Sequence, residues 1–147
     1  MTIDLTAKVL SELDPRHWTV RHDVTIAPNV NVKHLVVGPP GVFAIDSRFR
    51  AGEVFVDRAA VWVNGQATDL VDRAVGVAQL VYGKLRSWVT PVLAVDGDVR
   101  GEDDPEGLVV VTIDRLFRFL QSESPRLPRH AVERISRLIA DDHTWDI

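Results

Sequence analysis

Apolar residues recur along this chain with two periods, about two in some stretches and about 3.6 in others, and each switch marks the edge of an element. From about Thr2 to Leu13, Val9, Leu10 and Leu13 line up with Leu5 or Thr6 one turn earlier, which predicts a short amphipathic helix. Asp14-Pro15 ends it, because proline disfavours the helical region for the residue before it. Between Trp18 and Ile26, Val20, His22, Val24 and Ile26 alternate with Thr19, Arg21, Asp23 and Thr25, the pattern of a half-buried strand. Asn31 to Val37 and Gly41 to Arg48 are two further β-rich runs. Gly38-Pro39-Pro40-Gly41 separates them and signals a hairpin, since proline presets φ and glycine admits unusual φ values. A smaller strand pair, Glu53 to Val56 and Ala60 to Val63, is closed by Asn64-Gly65.

The period then changes. Across Thr68 to Trp88, the residues Leu70, Val71, Ala74, Val77, Ala78, Val81, Leu85 and Trp88 fall on one helical face. Pro91 to Val95 and Leu108 to Ile113 are continuous apolar runs, the mark of strands covered on both faces. The acidic, glycine-containing stretch Asp96 to Gly107 between them reads as a solvated, mobile loop. Asp114 is placed to cap a short helix with Leu116, Phe117 and Leu120. Pro128 suits the first turn of a last helix that buries Ala131, Val132, Ile135, Leu138 and Ile139. No internal repeat or low-complexity linker interrupts this order. The expectation is one α/β domain over residues 1–147, a mixed sheet flanked by helices.

Composition narrows the function classes. A chain of 147 residues with 46% apolar and 26% charged residues has room for one core and the balance of an ordinary globular protein. No apolar run approaches the roughly 20 residues that span a bilayer, so no membrane association is expected. Met1 to Leu13 lacks the basic start, apolar stretch and cleavage site of a signal peptide, which points to the cytoplasm. The absence of cysteine removes disulfides, thiolate zinc sites and cysteine nucleophiles together. A net charge of -4 works against nucleic-acid binding by a broad basic stripe, although a local patch could still supply it.

The second hairpin concentrates the candidate chemistry. With Gly38 to Gly41 as the loop, Val37 pairs with Val42, Leu35 with Ala44 and Lys33 with Asp46, all on one side of the sheet. Val36 with Phe43 and His34 with Ile45 take the other side. Asp46 and Arg48 share a face by alternation, so Lys33, Asp46 and Arg48 converge at one end: two cations and one anion.

The stretch from Asn31 to Arg48, with Lys33-His34, the Gly38-Pro39-Pro40-Gly41 turn and Asp46-Ser47-Arg48, resembles the core signature of nuclease-related domains. In that family an aspartate-histidine pair opens the first strand, a Gly-Pro-Gly-type turn follows, and the second strand ends in acid-x-lysine. The resemblance continues through Gly52, the long helix, Pro91-Val92-Leu93 and Thr144-Trp145, nearly the whole chain. It implies the restriction-endonuclease-like fold, in which two acids hold a divalent cation and the lysine positions or deprotonates water. Position by position, only the second acid persists, as Asp46. Lys33 stands at the first acid, Arg48 at the lysine, and Arg73 at a glutamine of the long helix. The Gly-Glu that opens the first helix in the family has no counterpart, the chain starting at about that point.

Two unit charges about 4 Å apart interact by roughly 4 kcal/mol at an effective dielectric of about 20. Exchanging an acid for an ammonium reverses a term of that size and removes a ligand, and arginine stays protonated and cannot act as a base. Lys33 opposite Asp46 therefore has two compatible readings, a vestigial centre or an ordinary cross-strand ion pair of about 0.2–1 kcal/mol. Both leave no metal chemistry at this spot.

Other residues read more plainly. His22 and His34 are expected to be packed or hydrogen-bonded, and His17 and His143 show no metal-ligand spacing. Asp98, Glu102, Asp103, Asp104 and Glu106 lack the regular arrangement of a calcium loop. The hairpin turn lacks the length and lysine of a phosphate-binding loop, and no serine sits in a nucleophile elbow. Trp18, Trp62, Trp88 and Trp145 are expected to pack rather than stack on bases. Arg48, Arg50, Arg58 and Arg73 form the best candidate cationic patch, with Arg48, Arg50 and Arg73 as the nucleic-acid-binding set.

The sequence thus leads to a nuclease-related module without catalysis, metal or other cofactor, with DNA or another protein as partner. A homo-oligomer stays open. The alternative is an active magnesium-dependent DNA nuclease that recruits a displaced acid, such as Asp23 or Glu53.

Overall fold

The computed structural model describes residues 4–48, 52–101 and 103–146. Helix α1 (Leu5–Leu10) leads into β1 (Thr19–Ala27), β2 (Val30–Gly38) and β3 (Gly41–Arg48), three antiparallel neighbours. Three short strands follow, β4 (Val54–Val56), β5 (Val61–Val63) and β6 (Gln66–Ala67), then the long helix α2 (Leu70–Leu85). The chain returns as β7 (Val89–Val95), β8 (Val99–Arg100) and β9 (Val109–Thr112), and ends with α3 (Ile113–Ser122) and α4 (Arg129–Ala140). Short 3₁₀ turns at Pro105–Gly107 and Asp142–Trp145 complete it.

The main sheet runs β1-β2-β3-β7-β9, and a smaller sheet runs β6-β5-β4-β8. β3, β7 and β9 are parallel, so α2 serves as the crossover that parallel pairing requires. Alternation sends Leu35, Val37, Val42 and Ala44 towards α2 and α4, where they meet Val81, Leu85, Ile135, Ile139 and Trp145. Val36, Phe43 and Ile45 face the opposite way and pack with Leu10, Leu116 and Leu120 of α1 and α3. A third cluster joins Val54, Val56 and Val61 to Leu70, Val71, Leu93 and Val95, fastening the small sheet over the start of α2.

The Pro39-Pro40 turn is tighter than the four-residue loop expected, since Gly38 pairs with Gly41 and the ladder gains a rung. Gly38 is required there: a Cβ would lie 2.4 Å from the Trp18 ring. Pro39 O accepts the backbone N–H of both Arg126 and Leu127 at 2.9 Å, tying the turn to the segment before α4.

Several expectations are corrected. α1 covers Leu5–Leu10, capped by the Asp4 carboxylate, which accepts from Thr6 N and Ala7 N; the expected start at Thr2 lies outside the described residues. The alternation expected through β1 breaks at Asp23, whose φ of 55° turns the strand. Val20 therefore packs with the α1 and α3 cluster, Val24 and Ile26 pack with the α2 and α4 cluster, and His22 is exposed. α2 stops at Leu85 because Arg86 adopts the left-handed conformation (φ 55°, ψ 40°), leaving Trp88 beyond the helix and 73% exposed rather than packed. Trp18 and Trp145 are buried as expected.

β7 is covered on both faces, but β9 lies at the edge and is only half-buried along its length. The stretch read as a loop contains β8, which pairs with β4, and Gly101 sits so close to Val56 that a Cβ would meet its carbonyl oxygen. α3 begins at Ile113, so Asp114 lies inside its first turn instead of capping it, and Pro128 precedes α4 at the cap position. No helix among the described residues is long and apolar enough to cross a membrane.

Candidate functional site

β2 and β3 deliver the key side chains because their ladder holds the register worked out from the turn, with Val37 opposite Val42, Leu35 opposite Ala44 and His34 opposite Ile45. One step further out, the Lys33 ammonium lies 3.5 Å from Asp46 Oδ1 and donates to the Ser47 carbonyl oxygen at 3.4 Å. Both side chains are about half exposed (49% and 42%), which limits the pair to about 0.2–1 kcal/mol. Asp46 also accepts the Ser47 backbone N–H through Oδ1 at 2.8 Å, which holds its carboxylate against the strand.

Lys33, Asp46 and Arg48 line one groove of about 520 Å³ between the hairpin and α2, and Arg73, Asp72 and Leu80 close it from the helix. A second hollow of about 360 Å³ adjoins it, sharing Arg48, Leu70, Arg73 and Leu93 and walled by Val54, Val61, Val63 and Val95. Arg48 therefore stands between the two. Its Nε is buried and has no hydrogen-bond partner among the described residues. Arg73 is 65% exposed and reaches Asp69 only at 4.0 Å. The structure thus brings Lys33, Asp46, Arg48 and Arg73 together; Arg50 lies outside the described residues, and Arg58 does not line either hollow. Asp23 and Glu53 are likewise absent from both linings.

The reverse face of the same hairpin carries a second polar group. His34 is buried, and its Nδ1 lies 2.8 Å from His22 Nδ1, so one ring donates to the other. His34 Nε2 lies 3.5 Å from Asp4 Oδ2, a distance that suits charge attraction better than a hydrogen bond. His34 Nε2 is buried without a hydrogen-bond partner among the described residues, so Asp4 acts on the ring through charge. Burial pushes the His34 pKa down, Asp4 opposes, and His22 adds to the depression. Beside it, the Ser47 hydroxyl donates to Thr6 Oγ1 at 2.7 Å inside the protein, joining β3 to α1.

Sequence reasoning expected His22 and His34 to be packed or hydrogen-bonded, as they are, but missed Asp4, Thr6 and Ser47 beside them and the apolar hollow. Asp4 immediately before an apolar stripe was the available signal for a cap. The His22–His34 pairing follows only once the Pro28-Asn29 turn between β1 and β2 is recognised. The hollow left no signal, since it depends on how the small sheet leans on α2. Among the described residues, no three His, Cys, Asp or Glu side chains cluster so that they would hold a metal ion.

A mixed sheet whose central hairpin carries acid-x-cation at its end, with a crossover helix behind it, defines a restriction-endonuclease-like α/β protein. The chain belongs to the nuclease-related domain family, which matches residues 4–95, from the α1 cap to the end of β7. Thr144-Trp145 lies past that match. An uncharacterized protein of Bacillus anthracis is 30% identical over 66 residues, an alignment covering 42% of this chain and 31% of that protein. The chain thus aligns with about a third of that relative's length. No solved structure matches the chain.

Proposed function

We propose that this chain is a nuclease-related module that does not cleave phosphodiesters with a divalent metal and that uses the hairpin groove to bind nucleic acid. The observation that carries the reading is the Lys33 ammonium 3.5 Å from Asp46 Oδ1 and 3.4 Å from the Ser47 carbonyl oxygen. Those are hard oxygen donors, the kind a magnesium ion would take. A tethered cation already sits against them, and a dication brought alongside would be repelled by Lys33 and Arg48. The donor set does not suit magnesium. Arg48 is permanently protonated, so it binds phosphate but cannot deprotonate water. Membership of the family supports a nuclease-related role, and the Arg48 and Arg73 guanidinium groups support contact with phosphates.

Isothermal titration with magnesium and manganese, beside a plasmid-cleavage assay, tests the loss of metal chemistry. Neither binding nor cleavage is expected, and cleavage abolished by Asp46→Asn would overturn the reading. Binding to single- and double-stranded DNA is expected to weaken with salt and to fall on Arg48→Ala, without change on adding EDTA. Absence of DNA binding at low salt, with a stable complex to another protein instead, would replace nucleic acid by a protein partner.

A further inference from the structure

The end of the sheet opposite the groove carries the most exposed large apolar side chain among the described residues. Trp88 is 73% exposed, whereas Trp18 and Trp145 are buried and Trp62 donates its indole N–H to Asp57. It stands just past α2 and just before β7, whose first residue Val89 lies beside Val42 at the Pro39-Pro40 turn. Three arginines gather about the same end. Arg86 follows α2 directly, the Arg134 guanidinium donates to Leu85 O at 3.4 Å, and the Arg126 backbone N–H meets Pro39 O. All three residues are exposed, and none is ion-paired among the described residues. Of the carboxylates nearby, Glu133 is bound to Arg129 and Asp146 to His143, which leaves half-buried Glu123 outnumbered by three guanidinium groups. The last carbonyls of α2 form a negative pole here, and Arg134 at Leu85 O offsets it. A protein of net charge -4 thus has one locally cationic end.

α2 joins this end to the groove. Arg73, Gly76 and Leu80 line the groove, and Gly83 continues the same helical face towards Arg86 and Trp88. Glycine weakens a helix interior relative to alanine, yet a Cβ at Gly76 or Gly83 would meet nothing beyond the helix itself within 4 Å. Packing accounts for neither glycine, and a bare helix face lets an outside chain lie close. From Arg73 to Arg86 the helix rises about 20 Å, a length that a stacked strand covers in about six nucleotides. We propose that Trp88 is a stacking platform for an unpaired base, and that Arg86, Arg126 and Arg134 hold the phosphates beside it. Every base presents a π face to an indole, and guanidinium groups take phosphate oxygens by charge and hydrogen bond together. A duplex covers both faces of each base within its own stack, so the occupant is a single strand. An acidic peptide would answer the arginines and leave the indole unstacked. This assignment rests on the nucleic-acid reading above and extends it from the groove to a second contact.

Titration of the full chain, read by tryptophan fluorescence and by anisotropy, tests it. The probe is a labelled thymidine oligonucleotide of about twelve nucleotides, single-stranded or annealed to its complement. The single strand is expected to quench tryptophan emission and to bind at least about tenfold more tightly than the duplex. Trp88→Ala, which removes no core packing, should abolish most of the quench and weaken strand binding by about tenfold. Trp88→Phe should recover part of that loss, and duplex binding should ignore both substitutions. Arg126→Ala should weaken the strand by about threefold and make the log–log salt slope shallower by about 0.7. A strand that binds without quenching and ignores Trp88→Ala, while still weakened by Arg48→Ala, would overturn the Trp88 contact and leave the groove reading intact. Dependence on Trp88 and Arg126 but not on Arg48 would keep this contact and remove the groove. Equal losses for strand and duplex on Trp88→Ala would overturn the single-strand assignment. Absence of all nucleic-acid binding at low salt would remove both, and quenching by polyglutamate in its place would assign the cationic end to an acidic protein.

Discussion

Lys33 and His34 are neighbours in β2, yet they enter different environments. Lys33 points to the α2 side, where it meets Asp46 in an open groove, with both side chains nearly half exposed. His34 points to the α1 side, where it is 2% exposed and paired to His22. The same contrast holds between Asp46 and Ser47 in β3, one lining the groove and the other sealed against Thr6. On the α1 side the Ser47 hydroxyl bonds to Thr6 and the His34 ring to His22, which ties α1 and β1 to the hairpin. The open polar groups, Lys33 and Asp46, are loosely paired and nearly half exposed to solvent. Strict alternation thus gives the outer end of one hairpin a sealed side and an exposed, charged side.

Substitutions can break or sharpen that contrast. The largest effect is expected from Ile45→Ala on the α1 side, which removes a side chain only 1% exposed. It should lower unfolding free energy by about 2–5 kcal/mol in urea denaturation. Ser47→Ala leaves the Thr6 hydroxyl without its buried donor, at a cost of about 1–3 kcal/mol by the same measurement. A loss below a few tenths would mean that water or a neighbour satisfies Thr6 and that the α1 face is less sealed than described.

Acid is the next lever. Because the folded pKa of His34 lies below its ordinary value of 6.5, the unfolded chain takes up the proton first. Stability from this residue is full above about pH 6.5 and falls as pH drops from there towards the folded pKa. His143, raised by Asp146, acts with the opposite sign, so the comparison belongs in a His143→Gln background. There, His34→Gln should flatten the decline in thermal midpoint below pH 6.5, and an unchanged slope would place its origin elsewhere.

The smallest effect is expected on the groove side. Lys33→Met should change stability by no more than about 1 kcal/mol, reading the exposed pair at its usual worth. A loss as large as that of Ser47→Ala would mean that Lys33 holds the fold and would erase the distinction between the two faces.

Much of the scaffold was legible because period and turn chemistry are local. The Gly38 to Gly41 turn set the register of β2 and β3, and the register brought Lys33, Asp46 and Arg48 to one end. What escaped were features decided by single backbone angles or by distant packing. Asp23 at φ 55° reversed the alternation of β1, and Arg86 in the left-handed region ended α2 before Trp88. β8 pairs with β4 across more than forty intervening residues, so no local pattern announces it. The hollow beside Arg48 arises from the same small sheet and was hidden for the same reason.

The two N–H groups converging on Pro39 O carry a consequence for how the chain can be shortened. The family match ends at residue 95, but Ile135, Ile139 and Trp145 complete the cluster behind Leu35 and Val37, and Arg21 reaches Ile139 O at 2.8 Å. A fragment trimmed to the matched region would bare Leu35 and Val37 on the same face that displays Lys33 and Asp46. The last third of the chain is the buttress that keeps that hairpin in shape, and any excised version meant for binding work must retain it.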